Sequence, residues 1–505
     1  MSHRKYWVAA ALMALLAVPA CGKNDKSAST PAENGAAVEA AVQDPSAAFL
    51  AMAERHAKSF LATAPEAATE LGLSEDIAGA GYLSRLGDYG FDAHQAARQM
   101  NESFLQELKS HDRAKLSGVA ATTYDVLRNA YEIAARRNQF PFGGASPFGA
   151  GLPNSGDAWA LTPYFMTQLT GPHLAIPRML MTQHPVASKA DGEAYVARLK
   201  DMPRALDGAA ATIAADAAIG VLPPRFAVEG IIRNLEGFIS DDAAANPLAK
   251  TLSEKLEAAG VSADDRAILV SAAVDVISAD VYPAYARLAE SYKELLPQAG
   301  EDAGVWRLGE QGEEWYALAL AAYGAGTKTG DDVHEIGLAD VARITGEMDV
   351  LLKKVGLKNG TVGARMVALS GRPDNLFPNT DEGREALLAL LRKQVADILA
   401  IAPQWFGRLP DYAVEVRRIP VHEQDSSPGG YYTGPSLDGS RPGVYWINLK
   451  DTADNPIHSL KTLTYHEAVP GHHFQTAYQR SIEGMPLMRT MLGYSEYAEG
   501  WALYA

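Results

Sequence analysis

The sequence contains one cysteine among its 505 residues, and its 45 basic side chains are outnumbered by 61 acidic ones. A lone cysteine cannot form an intramolecular disulfide. The net charge of -16 repels phosphate backbones, and no stretch concentrates basic residues, so we exclude nucleic-acid binding. With 47% hydrophobic and 21% charged residues, the chain nevertheless has ordinary globular composition and ample length for a large core.

The single cysteine lies at the end of a segment typical of exported proteins. Residues 1–5 are basic, and the apolar run 7–18 is too short for a comfortable transmembrane helix. Ala20 precedes Cys21 as a small residue precedes the cysteine of a bacterial lipoprotein cleavage site. We predict a lipoprotein signal peptide over 1–21 and a membrane anchor on lipidated Cys21, with a buried free cysteine as the alternative. No thiol then remains for catalysis.

Beyond the cysteine, composition divides the chain into a tether and a domain. Residues 22–45 are small and polar, which predicts a flexible tether. From residue 46 onward, apolar residues recur at spacings of three and four, as in 92–111 and 120–137. Alanine-rich helices are predicted to continue over 188–218, 245–299, 311–323, 331–355 and 382–401. We therefore expect a mainly α, multi-helix domain over 46–505.

Two intervals interrupt this helical pattern. The Gly/Pro-rich interval 140–157 lacks the Lys-Ser/Thr that would follow a phosphate loop, and we interpret it as a long surface loop. Residues 412–449 alternate β-branched and aromatic side chains around a turn-rich middle, which predicts a small β element. This element immediately precedes the most unusual stretch of the chain.

That stretch is YHEAVPGHH, residues 465–473. On a regular helix, a histidine four residues after His466 would lie about 40° and 6 Å away, close enough to share a metal. Pro470 occupies that position, and His472 would lie about 240° around the axis and 9 Å along it. Proline removes a backbone donor, and glycine relaxes the backbone. We therefore predict a two-residue bulge that returns His472 to the position of the missing histidine.

The neighbouring carboxylates complete a candidate metal site. Glu467 is adjacent to the first histidine and can act as a general base on a water held by the metal. In the downstream stretch GYSEYAEGWALYA, Glu496 and Glu499 lie on one helix face, and either would supply a third protein ligand. Two other His-Glu pairs, at 334–335 and 422–423, are interpreted as a helix-surface pair and a loop pair.

The motifs also resemble a known group. YHEAVPGHHFQ, YAEGWALYA, YYTGPSLDGSRPGVYWINL and DVHEIGLADVARITGEM are similar to segments of bacterial exported proteins of the domain-of-unknown-function family numbered 885, which are related in motif to gluzincin metallopeptidases. The resemblance extends from about residue 46 over most of the chain. Members of that group continue well past Glu-Gly-Trp-Ala, and this sequence ends there without a helix stop signal, so we expect a truncated C-terminus.

The resemblance implies a mostly helical metallopeptidase-like fold that holds Zn²⁺. His466 and His472 would be ligands, Glu467 the catalytic glutamate, and Glu499 the third ligand, with Glu496 as the alternative. His473 would support the ligands or the oxyanion. By analogy with gluzincins, the strand in 442–449 would pair with an extended peptide substrate, although it reads equally well as a core strand. Candidate oxyanion donors are Tyr431, Tyr432, Tyr494 and Tyr497.

These observations predict an exported, membrane-anchored zinc metallopeptidase that faces the periplasm or the cell surface and hydrolyses oligopeptides. The first alternative is a metal-dependent hydrolase of a non-peptide or cell-wall amide, because the same activation of water serves any amide. The second is a peptide-binding lipoprotein without turnover. Glu467 separates enzyme from binding protein, since only the enzyme needs a base at that position.

Overall fold

The computed structural model describes residues 44–145, 162–239, 242–421, 424–425 and 427–505. The predicted signal peptide, Cys21 and residues 22–43 of the predicted tether lie outside these ranges. The same holds for the His422-Glu423 pair and for most of the predicted surface loop 140–157. The first described helix begins at Pro45, next to the predicted end of the tether, with Asp44 accepting a hydrogen bond from the Ser46 N–H.

The predicted mainly α fold is confirmed, since the described residues form nineteen α-helices and three short strands. The first eleven helices are α1 (Pro45–Leu61), α2 (Pro65–Leu71), α3 (Glu75–Ala78), α4 (Phe91–Ser110), α5 (Gly118–Arg137), α6 (Pro172–Thr182), α7 (Lys189–Ala218), α8 (Arg225–Phe238), α9 (Pro247–Ala258), α10 (Ala263–Val276) and α11 (Tyr282–Leu295). A short π-helical segment, Ile277–Val281, joins α10 to α11. We call α1–α11 the helical frame.

The remaining helices are α12 (Glu310–Ala322), α13 (Gly330–Lys354), α14 (Val362–Ser370), α15 (Asp381–Ile401), α16 (Ile457–Glu467), α17 (His472–Arg480), α18 (Leu487–Met491) and α19 (Ser495–Tyr504). Their bounds agree closely with the predicted helices over 311–323, 331–355 and 382–401. The predicted helix over 245–299 is wrong as a single element. The chain leaves α9 at Gly260, which has a φ of 69°, and restarts at Ala263 with Ser262 as its N-cap.

Helix α7 lies at the centre of the largest buried cluster. Its side chains Leu199 and Leu206 are fully buried, and they pack with Ile231 of α8, Leu252 of α9 and Tyr285 of α11. Each such side chain contributes about 1.5–3 kcal/mol to folding. The helix Ala263–Gln298 is long and apolar enough to span a membrane, but here it packs against α7 and α8. A second cluster joins α1, α4 and α5 to Met488 of α18.

The three strands form one small sheet beside the helices. They are β1 (Val414–Arg418), β2 (Gly430–Thr433) and β3 (Gly443–Ile447), in the order β1-β3-β2. Strand β3 pairs with β1 in parallel and with β2 in antiparallel orientation, and all five of its residues are buried. The expectation that 442–449 pairs with a substrate is therefore wrong, because both edges of β3 are already occupied.

Candidate metal centre

The Pro-Gly insert separates two helices instead of bulging one. Helix α16 ends at Glu467 and α17 begins at His472, while Ala468 (ψ -103°) and Gly471 (ψ -129°) leave helical geometry between them. The Val469–Pro470 peptide bond is cis. A wide turn closes the gap, with the Gly471 N–H donating to the Tyr465 carbonyl over 2.9 Å.

Only glycine fits at position 471. A Cβ built there would lie 2.0 Å from the His466 carbonyl oxygen and 2.4 Å from that of Tyr465. Contacts this short are never tolerated, so the turn that brings α17 back beside α16 depends on the missing side chain. The predicted bulge within one helix is therefore wrong, because the chain forms two helices joined by this turn. His472 nevertheless lies beside His466, as predicted.

Two histidines and one glutamate converge across this break. One ligand atom from each of His466, His472 and Glu499 can be chosen so that all three lie within 4.8 Å of one another. His466 Nε2 is 3.3 Å from Glu499 Oε2, and His472 Nε2 is 3.6 Å from Glu499 Oε1. The two imidazole rings meet nearly edge to face, with centroids 4.6 Å apart. Two Nε2 atoms and a carboxylate therefore point at one small volume.

The electrostatics of the three groups differ according to their partners and burial. The hydrogen bond from His466 lowers the pKa of Glu499, and the same bond raises the pKa of His466. A hydrogen bond to the main chain of Ala502 also raises the pKa of His466. Burial instead lowers the pKa of His472, which favours the neutral imidazole that a metal requires.

The orientation of helix α19 determines which carboxylate lies beside the two histidines. Glu499 faces them, whereas Glu496 is exposed one turn earlier and packs against Gly324. Trp501, two residues beyond Glu499, donates its indole N–H to the Pro470 carbonyl over 2.7 Å. This hydrogen bond fixes α19 against the turn between α16 and α17, and so fixes Glu499 relative to both histidines.

Glu467 lies at the end of α16, beside His466 and facing the same space. Its residue is 6% exposed, and within the described ranges its carboxylate has no hydrogen-bond partner. Burial raises the pKa of Glu467 to about 7, with a further contribution from the negative charge of Glu499. A buried carboxyl group with a pKa near neutrality is suited to taking up and releasing protons.

These groups open onto one cleft of about 1380 Å³. Its walls are β2, the end of α16, α17, the start of α19 and residues 406–408, and we refer to it below as the cleft. Its lining includes Glu467, both histidines and Glu499. The candidate ligands are therefore accessible from outside the protein.

His473 does not reach this cluster. Its Nε2 contacts the Tyr412 carbonyl at 3.1 Å, which places the proton on Nε2 and leaves Nδ1 to accept from the Tyr432 hydroxyl at 3.0 Å. Gly443 makes room for this contact, because a Cβ there would lie 2.5 Å from Nδ1. The predicted catalytic role of His473 is thus corrected, because both of its ring nitrogens already have hydrogen-bond partners. The ring instead joins β2 to α17.

The candidate tyrosines are placed in four different ways. Tyr432 lines the cleft with its ring 6.4 Å from that of His472, but its proton is directed to His473. Tyr494 donates its hydroxyl to the Val126 carbonyl over 2.7 Å, so that proton is not directed to a substrate, and its predicted catalytic role is corrected. Tyr431 stacks on Trp446, and Tyr497 is 63% exposed at the rim.

The family model described as "Bacterial protein of unknown function (DUF885)" matches residues 65–505. The chain belongs to this family. A comparison with curated proteins finds no match. The matched range of this DUF885 chain contains all of the candidate ligands, Glu467 and the helical frame except α1.

Two solved structures resemble this DUF885 chain. One is the crystal structure of a candidate lipoprotein from Colwellia psychrerythraea, with a TM-score of 0.83, 31% identity, and coverage of 91% of this chain and 77% of that one. The other is a candidate lipoprotein of unknown function from Shewanella oneidensis, with a TM-score of 0.57, 16% identity, and coverage of 90% and 76%. The second similarity concerns the fold alone.

Sequence reasoning missed two residues of this DUF885 site. Trp501 was noticed only as part of a motif, although an indole N–H two residues after a ligand is a signal for a supporting hydrogen bond. Arg480 carries no sequence signal of this kind, yet it lines the cleft.

Proposed function

We propose that this protein is an exported zinc-dependent metallopeptidase. The observation that carries the proposal is the convergence of His466, His472 and Glu499 in an open cleft beside Glu467, which is buried and has no hydrogen-bond partner among the described residues. Two imidazoles and one carboxylate are a ligand set of catalytic zinc sites, which leave a further position for water or substrate. Zn²⁺ held there would polarise a scissile carbonyl and lower the pKa of water.

Glu467 is suited to move the proton in this reaction. It lies next to His466 in the sequence and lines the same cleft, so it can take a proton from an attacking water. Protonated Glu467 would then pass that proton to the leaving amine. The burial of its side chain favours this shuttle, because it brings the two protonation states close in free energy near neutral pH.

The free edge of the sheet supports a peptide as the substrate. The Asn448 N–H donates to the Gly429 carbonyl, so alternation along the antiparallel pair directs the main-chain groups of Gly430 and Tyr432 away from β3. Strands β1 and β2 are the two edge strands of the sheet, and β2 is the one that lines the cleft. An extended peptide can therefore add to β2 and reach the metal centre. This replaces β3 as the peptide-binding strand.

The predicted lipid anchor supports an exported location. Cys21 follows an export segment, and the protein from Colwellia psychrerythraea that resembles this chain is a candidate lipoprotein. A diacylated cysteine followed by residues 22–43 would hold the domain close to a membrane. We therefore propose that the enzyme faces the periplasm or the cell surface and acts on oligopeptides there.

The test is the zinc content of the full chain, purified in detergent and measured by mass spectrometry after excess metal is removed. We expect about one zinc ion per chain in the parent and little in His466→Ala or Glu499→Ala. Glu496→Ala is the matched control, because it removes an exposed carboxylate one turn away on α19 and should retain zinc. Absence of zinc from the parent after supplementation would contradict the proposal.

Turnover is then measured on a random peptide library by detecting new termini. Cleavage by the parent, lost in Glu467→Gln with zinc retained, is the expected result. Cleavage of cell-wall amides but of no peptide would show that the protein is a hydrolase of non-peptide amides and not a peptidase. Zinc binding and peptide binding without any turnover would identify a binding lipoprotein instead.

A further inference from the structure

The cleft contains a half-buried positive charge that the proposed reaction does not use. Arg480 is the last residue of α17 and lines the cleft together with His472 and Glu467. Its Nη1 is shielded from water and has no hydrogen-bond partner. Within the described residues, its guanidinium makes no hydrogen bond and no ion pair, although Glu70 and Tyr432 act on it electrostatically.

The position of Arg480 along β2 can be derived from Gly434. A Cβ at Gly434 would lie 3.0 Å from Nη1 and 3.1 Å from Nη2, so the guanidinium rests against this residue. Gly434 follows Tyr432 by two residues, which corresponds to about 7 Å along an extended chain. Tyr432 in turn packs beside His472. A peptide on the free edge of β2 would therefore pass both the metal centre and Arg480.

An unpartnered guanidinium is expensive to bury. Removing a charged group from water costs several kcal/mol unless hydrogen bonds and an opposite charge replace the solvent. Burial accordingly lowers the pKa of Arg480. Arg408, on the wall of the same cleft, is exposed and donates to the Ser481 carbonyl over 3.0 Å. Arg489 also lines the cleft, but among the arginines of the lining and within the described residues, Arg480 alone has a side-chain nitrogen that is shielded from water and lacks a hydrogen-bond partner.

We propose that Arg480 binds a carboxylate of the peptide substrate, either the free C-terminus or an Asp or Glu side chain. A planar guanidinium presents two parallel N–H groups to a carboxylate, and the pair neutralises the buried charge. This inference rests on the proposed peptidase function. If the carboxylate is terminal, its distance from the metal centre places the scissile bond within a few residues of the C-terminus.

The test uses the full chain carrying Glu467→Gln, so that bound peptides are not consumed. The probe is a random hexapeptide library prepared once as free acids and once as C-terminal amides, with bound peptides identified by mass spectrometry. Enrichment of free acids over amides by about tenfold or more identifies a terminal carboxylate. Enrichment of Asp or Glu within the amide library identifies a side-chain carboxylate.

Adding Arg480→Gln to this chain should abolish either enrichment. Arg408→Gln, which also removes one positive charge from the cleft wall, should leave it intact. Stability gives a second readout that does not depend on the library. Arg480→Met should raise the melting temperature, because it removes an uncompensated buried charge, whereas a purely structural arginine would lower it on removal.

The outcomes separate this inference from the peptidase proposal. Peptide binding without enrichment of carboxylates, or enrichment that survives in Arg480→Gln, overturns the role of Arg480 and leaves the peptidase proposal standing. A lower melting temperature in Arg480→Met also counts against it. A zinc-containing chain that binds no peptide from either library overturns both.

Discussion

Arg198 in α7 is buried and Arg480 in α17 is half-buried, and the surroundings of their guanidinium groups differ. Arg198 is fully buried in the helical frame and donates to the carbonyls of Arg85, Tyr82 and Pro65, to the Thr69 hydroxyl and to His184. Arg480 lines the cleft, and no residue that the structure describes accepts a hydrogen bond from its guanidinium. In the frame, hydrogen bonds surround the Arg198 guanidinium, whereas among the described residues of the cleft no group accepts from Arg480.

Glu467 extends the same comparison to negative charge. In the frame, Glu107 accepts hydrogen bonds from both His56 and Arg55. Glu467 is more deeply buried, yet no described residue hydrogen-bonds its side chain. Stability alone would select against such groups, since an unpaired buried charge costs free energy. Substitutions of these cleft residues should therefore alter function with little loss of stability. Substitutions of the paired frame residues should lower stability with little effect on function.

The largest effect is expected for Glu467→Gln. Removing the proton shuttle should lower the turnover number for peptides about 10²- to 10⁴-fold, with zinc still bound and the free energy of unfolding unchanged or higher. Steady-state kinetics and chemical denaturation on the same preparation test both halves. Glu496→Gln, an exposed carboxylate on α19, should keep full turnover. Retained activity in Glu467→Gln would show that the buried carboxylate of the cleft has no functional role and does not differ in this respect from the carboxylates of the frame.

Arg198→Met tests the frame side of the comparison. It leaves several carbonyl oxygens and His184 without their donor, so the free energy of unfolding should fall by about 3–5 kcal/mol. Urea denaturation measures the loss, and the zinc content per folded chain should not change. Arg287→Met, which removes only an exposed ion pair with Asp207, should cost about 1 kcal/mol or less. Equal losses in the two variants would contradict the account of Arg198.

Lys255 in α9 gives the frame a pH signature. Its ammonium donates to the carbonyls of Leu180 and His184, and burial lowers its pKa to about 7, with a contribution from Arg441. Between pH 7 and 10 the unfolded chain therefore binds more protons than the folded one, so stability rises with pH in this window. From pH 7 to 9 the gain should be about 2 kcal/mol.

Denaturation at a series of pH values isolates this contribution. The free energy of unfolding of the parent, relative to that of Lys255→Met, should rise by about 2 kcal/mol from pH 7 to 9. For Lys250→Met, at an exposed position on the same helix, the difference from the parent should not change with pH. A stability difference for Lys255→Met that is independent of pH would mean that the lysine keeps its ordinary pKa.

The sequence predicted what depends on local spacing. Helix periodicity located α7 and α15, and the spacing of His466, Pro470 and His472 indicated that the helix must deviate for the histidines to meet. The deviation itself was not predictable in detail, because the break depends on the contact of Gly471 with the His466 carbonyl. The two histidines and Glu499 nevertheless lie together in the structure.

Features that depend on distant partners could not be predicted. The order of strands in a sheet does not follow from the sequence of any one strand, so the sequence predicts the central strand β3 as the substrate-binding strand in place of β2, which lies at an edge. The hydroxyl of Tyr494 is directed to Val126, 368 residues earlier in the chain. Arg480 has no local pattern that marks it as unpartnered, since that property depends on Gly434 and β2.

The smallest predicted effect concerns Trp501. This residue lines the cleft, but its polar group has a hydrogen-bond partner, as the buried arginine of the frame does. Trp501→Phe keeps an aromatic ring beside Phe474 but removes the N–H that binds the Pro470 carbonyl. We expect α19 to become less well fixed, zinc affinity to fall about tenfold, and stability to fall by about 1 kcal/mol. Trp405→Phe, at a site 77% exposed, should change neither. Zinc competition with a chelator of known affinity measures the effect. Unchanged zinc affinity in Trp501→Phe would mean that packing alone positions Glu499, and that the hydrogen bond to Pro470 contributes to stability without organising the metal centre.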